Sequence, residues 1–198
     1  MYLAIVAPLW AGVLLLFCPI GVLSAGCTPY ALPEDFKSAC DVRNLQVISA
    51  SGNTIVDNAN CNELFSKSEF STSPSVQFDG ADPEKTYTLI MVDPDAPNHS
   101  EGQYWLHWIV ANIKGADLRS GNIGSSHTVV TSYHPPGPPK GTGPHRYVFL
   151  LLEQAKSKVS MESPDKRPRF NLATYLSIQE GKFCRLVAGA QFRAQYEA

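Results

Sequence analysis

The apolar runs of this chain are short, rich in β-branched residues and cut off by proline or glycine. Thr86 to Val92 stops at Asp93-Pro94-Asp95-Ala96-Pro97, and Thr128 to Tyr133 runs into Pro135 to Pro144. Proline has no N–H to give a sheet ladder or a helix interior, so such runs end as strands. The 15 prolines and 14 glycines suit a loop-rich β fold better than a helical bundle. Length fits one domain. Charged residues make up 17% of the chain, the formal net charge is −2, and no basic block occurs. A nucleic-acid backbone is therefore excluded as a partner class.

The period-two pattern marks the strands. Leu45 to Ile48 and Thr54 to Val56 flank the turn cluster Ser51-Gly52-Asn53, and Ser75 to Phe78 follows. Tyr104 to Ile113 places Trp105, His107, Ile109 and Ala111 on one face and Tyr104, Leu106, Trp108 and Val110 on the other. Both faces are apolar, which predicts a central strand covered on both sides. His145 to Glu153 reads the same way, and Leu186 to Phe192 closes the set. Leu32 to Cys40 predicts a short helix with acids in its first turn. Asn171 to Glu180 predicts a second, with Leu172, Tyr175, Leu176 and Gln179 on one stripe.

Between Met1 and Cys27 there is no charged side chain. Leu14 to Phe17 forms an apolar centre, Pro19 and Gly21 break it, and Val22 to Gly26 offers small residues for cleavage. This is the layout of a secretory signal peptide over residues 1–25, although no Lys or Arg precedes the apolar run. An uncleaved membrane anchor is the alternative reading. Residues 26–198 would then form the exported domain, with Cys27, Cys40, Cys61 and Cys184 available for two disulfides in any of three connectivities. Their spacing fits no zinc pattern. Asn98-His99-Ser100 is the N-glycosylation sequon.

Chemistry is expected at strand ends and loops. Asp93 and Asp95, His107, the proline loop, and His145 with Tyr147 stand out, each with an ordinary structural reading beside it. Aspartates near prolines usually form turns, a histidine in an apolar strand is usually a core residue, and a Pro/Gly loop is usually only a loop. His145 and Tyr147 share a face, with Arg146 pointing away. In Pro135-Pro136-Gly137-Pro138-Pro139, Gly137 holds the sole backbone N–H, and with no Cβ it admits a close ligand oxygen. A stiff loop with one aimed donor suits an anion pocket.

Three blocks carry a resemblance. They are Asp93-Pro94-Asp95-Ala96-Pro97; Trp105 through Gly115; and Tyr133 through Gly143 followed by His145-Arg146-Tyr147. In content and spacing they resemble the phosphatidylethanolamine-binding (Raf kinase inhibitor protein) family, and Leu186 to Gly189 resembles its closing strand. The uncharged start, the Cys27 and Cys40 spacing and Asn112 to Leu118 look most like the secreted animal branch, type 4. The resemblance implies a mostly β fold, with a large central sheet packed on a smaller one and a few peripheral helices. It implies a non-enzymatic pocket for phosphatidylethanolamine or another phosphate-bearing anion, built from Asp93, Asp95, Trp105, His107, Gly137, Pro138, His145 and Tyr147. In that pocket His107, His145, Tyr147 and the Gly137 N–H would donate to phosphate oxygens. Both histidines are expected to gain charge in acid and tighten binding.

Two departures concern the pocket. Gly102 stands where many members have a tyrosine, and His134-Pro135-Pro136 replaces smaller residues. The chain also ends at Ala198 without the C-terminal helix of mammalian cytosolic members, so an open mouth is expected. No cofactor or metal is expected, although Asp93, Asp95, His107 and His145 are the residues a metal-dependent hydrolase would use. The alternative function is a protease inhibitor or a modulator of a signalling protein. A monomer is expected, secreted or held in the lysosome or another endomembrane lumen.

Overall fold

The computed structural model describes residues 38–123 and 126–198. The export segment, Cys27 and most of the helix expected from Leu32 lie outside the described residues. At the end of that range a 3-10 turn, Ala39–Asp41, is capped by Ser38, whose Oγ accepts the Cys40 N–H. The elements then run β1 (Gln46–Ile48), β2 (Ile55–Val56), β3 (Ser75–Gln77), β4 (Thr86–Asp93), β5 (Gln103–Lys114), α1 (Gly115–Arg119), β6 (Thr128–Thr131), β7 (His145–Gln154), β8 (Phe170–Asn171), α2 (Leu172–Ile178) and β9 (Phe183–Ala194). Among the described residues β1–β3 form a small antiparallel sheet ordered β2-β1-β3. The large sheet is ordered β6-β5-β4-β7-β9, with β8 beside β5. The mostly β, two-sheet architecture follows the expectation from the sequence.

Three layers result, because the large sheet is apolar on both faces. On one face Val47, Val56 and Val76 of the small sheet meet Leu89, Met91, Phe149 and Leu151. Here Phe192 stacks between Phe70, at 4.1 Å, and Tyr147, at 5.3 Å. On the other face Leu172, Tyr175 and Leu176 of α2 cover Ile90, Val92, Leu150 and Leu152. The α2 stripe read from the sequence is buried, including Gln179 at 1% exposure. Asn171 caps the helix by accepting the Thr174 N–H, as a short polar residue does at that position. The Cys40–Cys61 disulfide ties the N-terminal turn to the loop after β2, and Cys184 is also disulfide-bonded.

The expected two-face reading of β5 needs one correction. Leu106 and Trp108 were expected on one face, yet Leu106 packs with the α2 layer and Trp108 with the small-sheet layer. The cause is a β-bulge. Met91 pairs with Trp108 and Val92 with Leu106, so His107 is an extra residue with no partner in β4. Alternation restarts after it, which is why Ile109 lies with the α2 layer rather than on the side of Trp105 and His107. A second irregularity near Ala111 and Asn112 is filled by Gln154, whose Oε1 accepts the Asn112 N–H at 2.8 Å.

A bulge leaves backbone groups without ladder partners. Arg167 supplies them here. Its Nη1 donates to the carbonyls of Leu106 (3.1 Å) and His107 (2.9 Å), and its Nη2 donates to Ser132 O and Oγ. The Leu106 N–H donates in return to the Arg167 carbonyl at 2.9 Å. Removing the guanidinium by Arg167→Ala is expected to lower stability by about 1–3 kcal/mol in urea denaturation, because the Leu106 carbonyl loses its Arg167 donor and the His107 carbonyl keeps only the His134 N–H. Arg167→Lys should recover less than half of that, since one ammonium does not span three carbonyls. A loss below about 0.5 kcal/mol, the scale of ordinary surface substitutions, would contradict this role.

Candidate functional site

The end of β4, the start of β5 and the start of β7 meet at one end of the large sheet, beside the proline loop. They enclose a cavity of about 530 Å³. Asp93 enters from β4, Trp105 and His107 from β5, His145 and Tyr147 from β7, and Gly137 from the proline loop. The structure thus brings six of the eight expected residues into one wall.

Asp95 and Pro138 do not line it. Asp95 turns away to Arg146, accepting from its backbone N–H (2.8 Å), its Nε (2.9 Å) and its Nη2 (2.8 Å). Burial works to raise the Asp95 carboxyl, but these hydrogen bonds and the Arg146 charge outweigh it and hold it below its ordinary value. Its place is a brace between the Asp93-to-Pro97 turn and β7. Pro138 is buried while its neighbour Gly137 is exposed, so it stiffens the loop from behind.

Asp93 and His145 form a buried pair, exposed 4% and 1%. Asp93 Oδ2 accepts the His145 Nδ1–H at 2.8 Å, and its Oδ1 accepts the Asp95 N–H at 2.7 Å. Burial raises the Asp93 carboxyl above its ordinary value, with the His145 and Asp95 bonds opposing. His145 Nε2 lies 2.7 Å from Thr142 Oγ1, which also contacts the Pro139 carbonyl. The imidazole is therefore held at both nitrogens.

His107 is clamped by His134. Its Nδ1 lies 2.7 Å from the His134 carbonyl, while its own carbonyl accepts the His134 N–H. A carbonyl only accepts, so Nδ1 carries the proton. Burial lowers the His107 pKa to about 4, with further lowering from the neighbouring His134, Arg167 and His145 charges and some opposition from the His134 carbonyl. At neutral pH Nε2 is a bare lone pair. This corrects the expectation that His107 donates to phosphate and gains charge in mild acid.

Gly137 lines the cavity beside Tyr147, and its backbone N–H works to lower the Tyr147 phenol against the effect of burial. Burial, ahead of the Asp93 charge, pushes the Tyr147 phenol well above its ordinary value, so it stays protonated and offers an O–H. The ring stacks edge-on against His107 at 5.2 Å. The cavity floor therefore carries two acceptors, Asp93 and His107 Nε2, beside the Tyr147 O–H as a donor.

The walls also include Asn98, the sequon residue, and His134, named among the departures, together with residues the sequence reading did not select: His99 from the turn after β4, and Lys166, Pro168 and Arg169 from the segment before β8. That segment carries no motif, and only the chain's path over the sheet end brings it to the mouth. Asn98, the sequon residue, stands at the same mouth. Among the described residues no group of three His, Cys, Asp or Glu has the geometry to hold a metal ion, and no helix is long and apolar enough to cross a membrane.

The His107 environment sets a stability dependence on pH. An unfolded histidine titrates near 6.5, whereas His107 titrates near 4 in the fold. Between those values the unfolded chain binds the extra proton, so acidification destabilises the fold across that window. Between pH 7 and pH 4.5 wild type is expected to lose about 2–3 kcal/mol more than His107→Gln, measured by urea denaturation at each pH. Equal losses would contradict a buried neutral His107.

Comparison with known proteins agrees with this architecture. The family model described as phosphatidylethanolamine-binding protein matches residues 48–185. The phosphatidylethanolamine-binding protein from Plasmodium vivax is 22% identical, with a TM-score of 0.62 over 79% of this chain and 88% of that one. A carboxypeptidase Y inhibitor solved with its cognate proteinase is 20% identical, with a TM-score of 0.58 over 79% and 85%. The phosphatidylethanolamine-binding protein from Plasmodium falciparum is 19% identical, with a TM-score of 0.56 over 85% and 92%. At these identities the solved structures share the fold, and the family model covers most of the chain. The chain belongs to the phosphatidylethanolamine-binding protein family.

Proposed function

We propose that this chain is a secreted, non-enzymatic binding protein whose cavity takes the zwitterionic head group of phosphatidylethanolamine or a related phosphate-bearing small molecule. The observation that carries the reading is the pairing of acceptors and a donor on one floor. Asp93 Oδ atoms and His107 Nε2 can receive an ammonium, and Trp105 offers an aromatic face beside them. The Tyr147 O–H can donate to a phosphate oxygen. The polarity differs from that of a simple anion pocket. Family membership supports the ligand class, and the uncharged start and the Cys40–Cys61 bond support export.

His145 Nε2 meets Thr142, and Thr142 meets a carbonyl, so this chain of contacts ends in the loop. Binding without turnover is the function the geometry supports.

The fold likeness to a carboxypeptidase Y inhibitor in complex with its proteinase favours a second reading, inhibition of a peptidase. Inhibition of a serine carboxypeptidase by this chain, undiminished by changes on the cavity floor, would select that reading over the first.

Calorimetric titration with a soluble short-chain phosphatidylethanolamine tests the first reading. Wild type should bind. Tyr147→Phe removes the phosphate donor and should weaken binding roughly fivefold, the value of one hydrogen bond of about 1 kcal/mol. His107→Leu removes an ammonium acceptor and should weaken it by a similar factor. Absence of binding by wild type, or full affinity in both variants, would contradict the assignment.

A further inference from the structure

The mouth of the cavity has a different character from its floor. Lys166 and Arg169 both line it, and neither has an ion-pair partner among the described residues. Asp93 is the sole carboxylate among the lining residues, and it is bonded to His145 at the base. The mouth is therefore positive and the floor is not.

The Arg169 backbone is held there against its own preference. Its φ is 57°, and that of Asn98 is 62°. A left-handed backbone is tolerated by asparagine but is unusual for arginine, and such outliers persist where surrounding contacts hold them. Those contacts are present. The Arg169 N–H donates to His99 Nε2 at 3.1 Å, and Arg169 Nε donates to the Asn98 carbonyl at 3.3 Å. The turn after β4 and the segment before β8 are thus joined at the mouth through Arg169. The joint uses its backbone and Nε, and its two terminal guanidinium nitrogens make no hydrogen bond among the described residues. A planar pair of donors fits a carboxylate side-on.

We infer that Lys166 and Arg169 form a second anion subsite at the cavity mouth, selecting head groups that carry an anionic group in addition to phosphate, as phosphoserine does. The inference rests on the floor binding the ammonium and phosphate, as proposed above. Phosphoserine differs from phosphoethanolamine by one carboxylate. With the ammonium on Asp93 and the phosphate on Tyr147, that added carboxylate is the group the rim cations would meet. Both cations are exposed, so the added affinity is modest and salt-sensitive.

The test is calorimetric titration of the full chain with four probes. These are short-chain phosphatidylserine, short-chain phosphatidylethanolamine, O-phosphoserine and O-phosphoethanolamine. Wild type should prefer the serine member of a pair by roughly five- to tenfold at low ionic strength. The preference should shrink toward unity near 0.5 M salt. In the Lys166→Gln/Arg169→Gln variant it should vanish. Lys166→Gln alone, at an exposed position with no bond to lose, should reduce it by about half on a logarithmic scale. A preference confined to the lipid pair identifies a lipid head group as the ligand source, and one confined to the free pair identifies a soluble phosphomonoester. Equal affinities within both pairs in wild type, or a preference that survives in the double variant, would overturn the subsite. If no probe binds wild type, the head-group reading falls as well, so the two failures are distinguishable.

Discussion

One extra residue in β5 determines what this cavity is. Without the bulge at His107, strict alternation would put its imidazole on the side of Ile109, in the layer covered by α2. With it, His107 stands beside Tyr147, with its Nδ1 on the His134 carbonyl and Nε2 left over. The cost is a broken ladder, and Arg167 offsets it by donating to carbonyls at the bulge itself. Gln154 fills the second irregularity of that strand by accepting the Asn112 N–H. In both cases a side chain from another segment supplies hydrogen-bond partners to backbone groups at the irregularity.

The aromatic packing beneath the site converts this local geometry into a rigid floor. Tyr147 stacks on Phe192, which stacks on Phe70, and these rings lie in the core shared by the two sheets. The Tyr147 ring is therefore held in place by its neighbours. Fixed dipoles of this kind discriminate by polarity as well as shape. A floor with a carboxylate, a bare imidazole nitrogen and a phenol is complementary to a zwitterion, and a lone anion would face two acceptors.

Much of this was legible in the sequence, for identifiable reasons. The apolar runs located β4, β5 and β7 within a residue, whereas β9 begins three residues before the run read from Leu186; the apolar pattern on both faces of Tyr104 to Ile113 and His145 to Glu153 marked them as covered on both sides. The family resemblance implied a pocket containing Asp93, Trp105, His107, Gly137, His145 and Tyr147, and all six line the cavity. What sequence did not show depends on through-space pairing. A bulge is a mismatch between two strands, and neither strand carries it alone, so Leu106 and Trp108 were read onto one face. Asp95 looked like a site residue because it stands two positions from Asp93, but the backbone of the turn aims it at Arg146. Arg167, Lys166 and Arg169 lie in a stretch with no periodicity, and only tertiary contacts give them a role.

The central claim is that the cavity floor holds a phosphoethanolamine head group by its two ends. A crystal structure of the chain with O-phosphoethanolamine tests it most directly. The account predicts the ammonium nitrogen within hydrogen-bond distance of Asp93 or His107 Nε2, and a phosphate oxygen within the same distance of the Tyr147 hydroxyl. A head group bound outside this cavity, or bound in it with the phosphate on Asp93 and His107 and the ammonium turned outward, would contradict it.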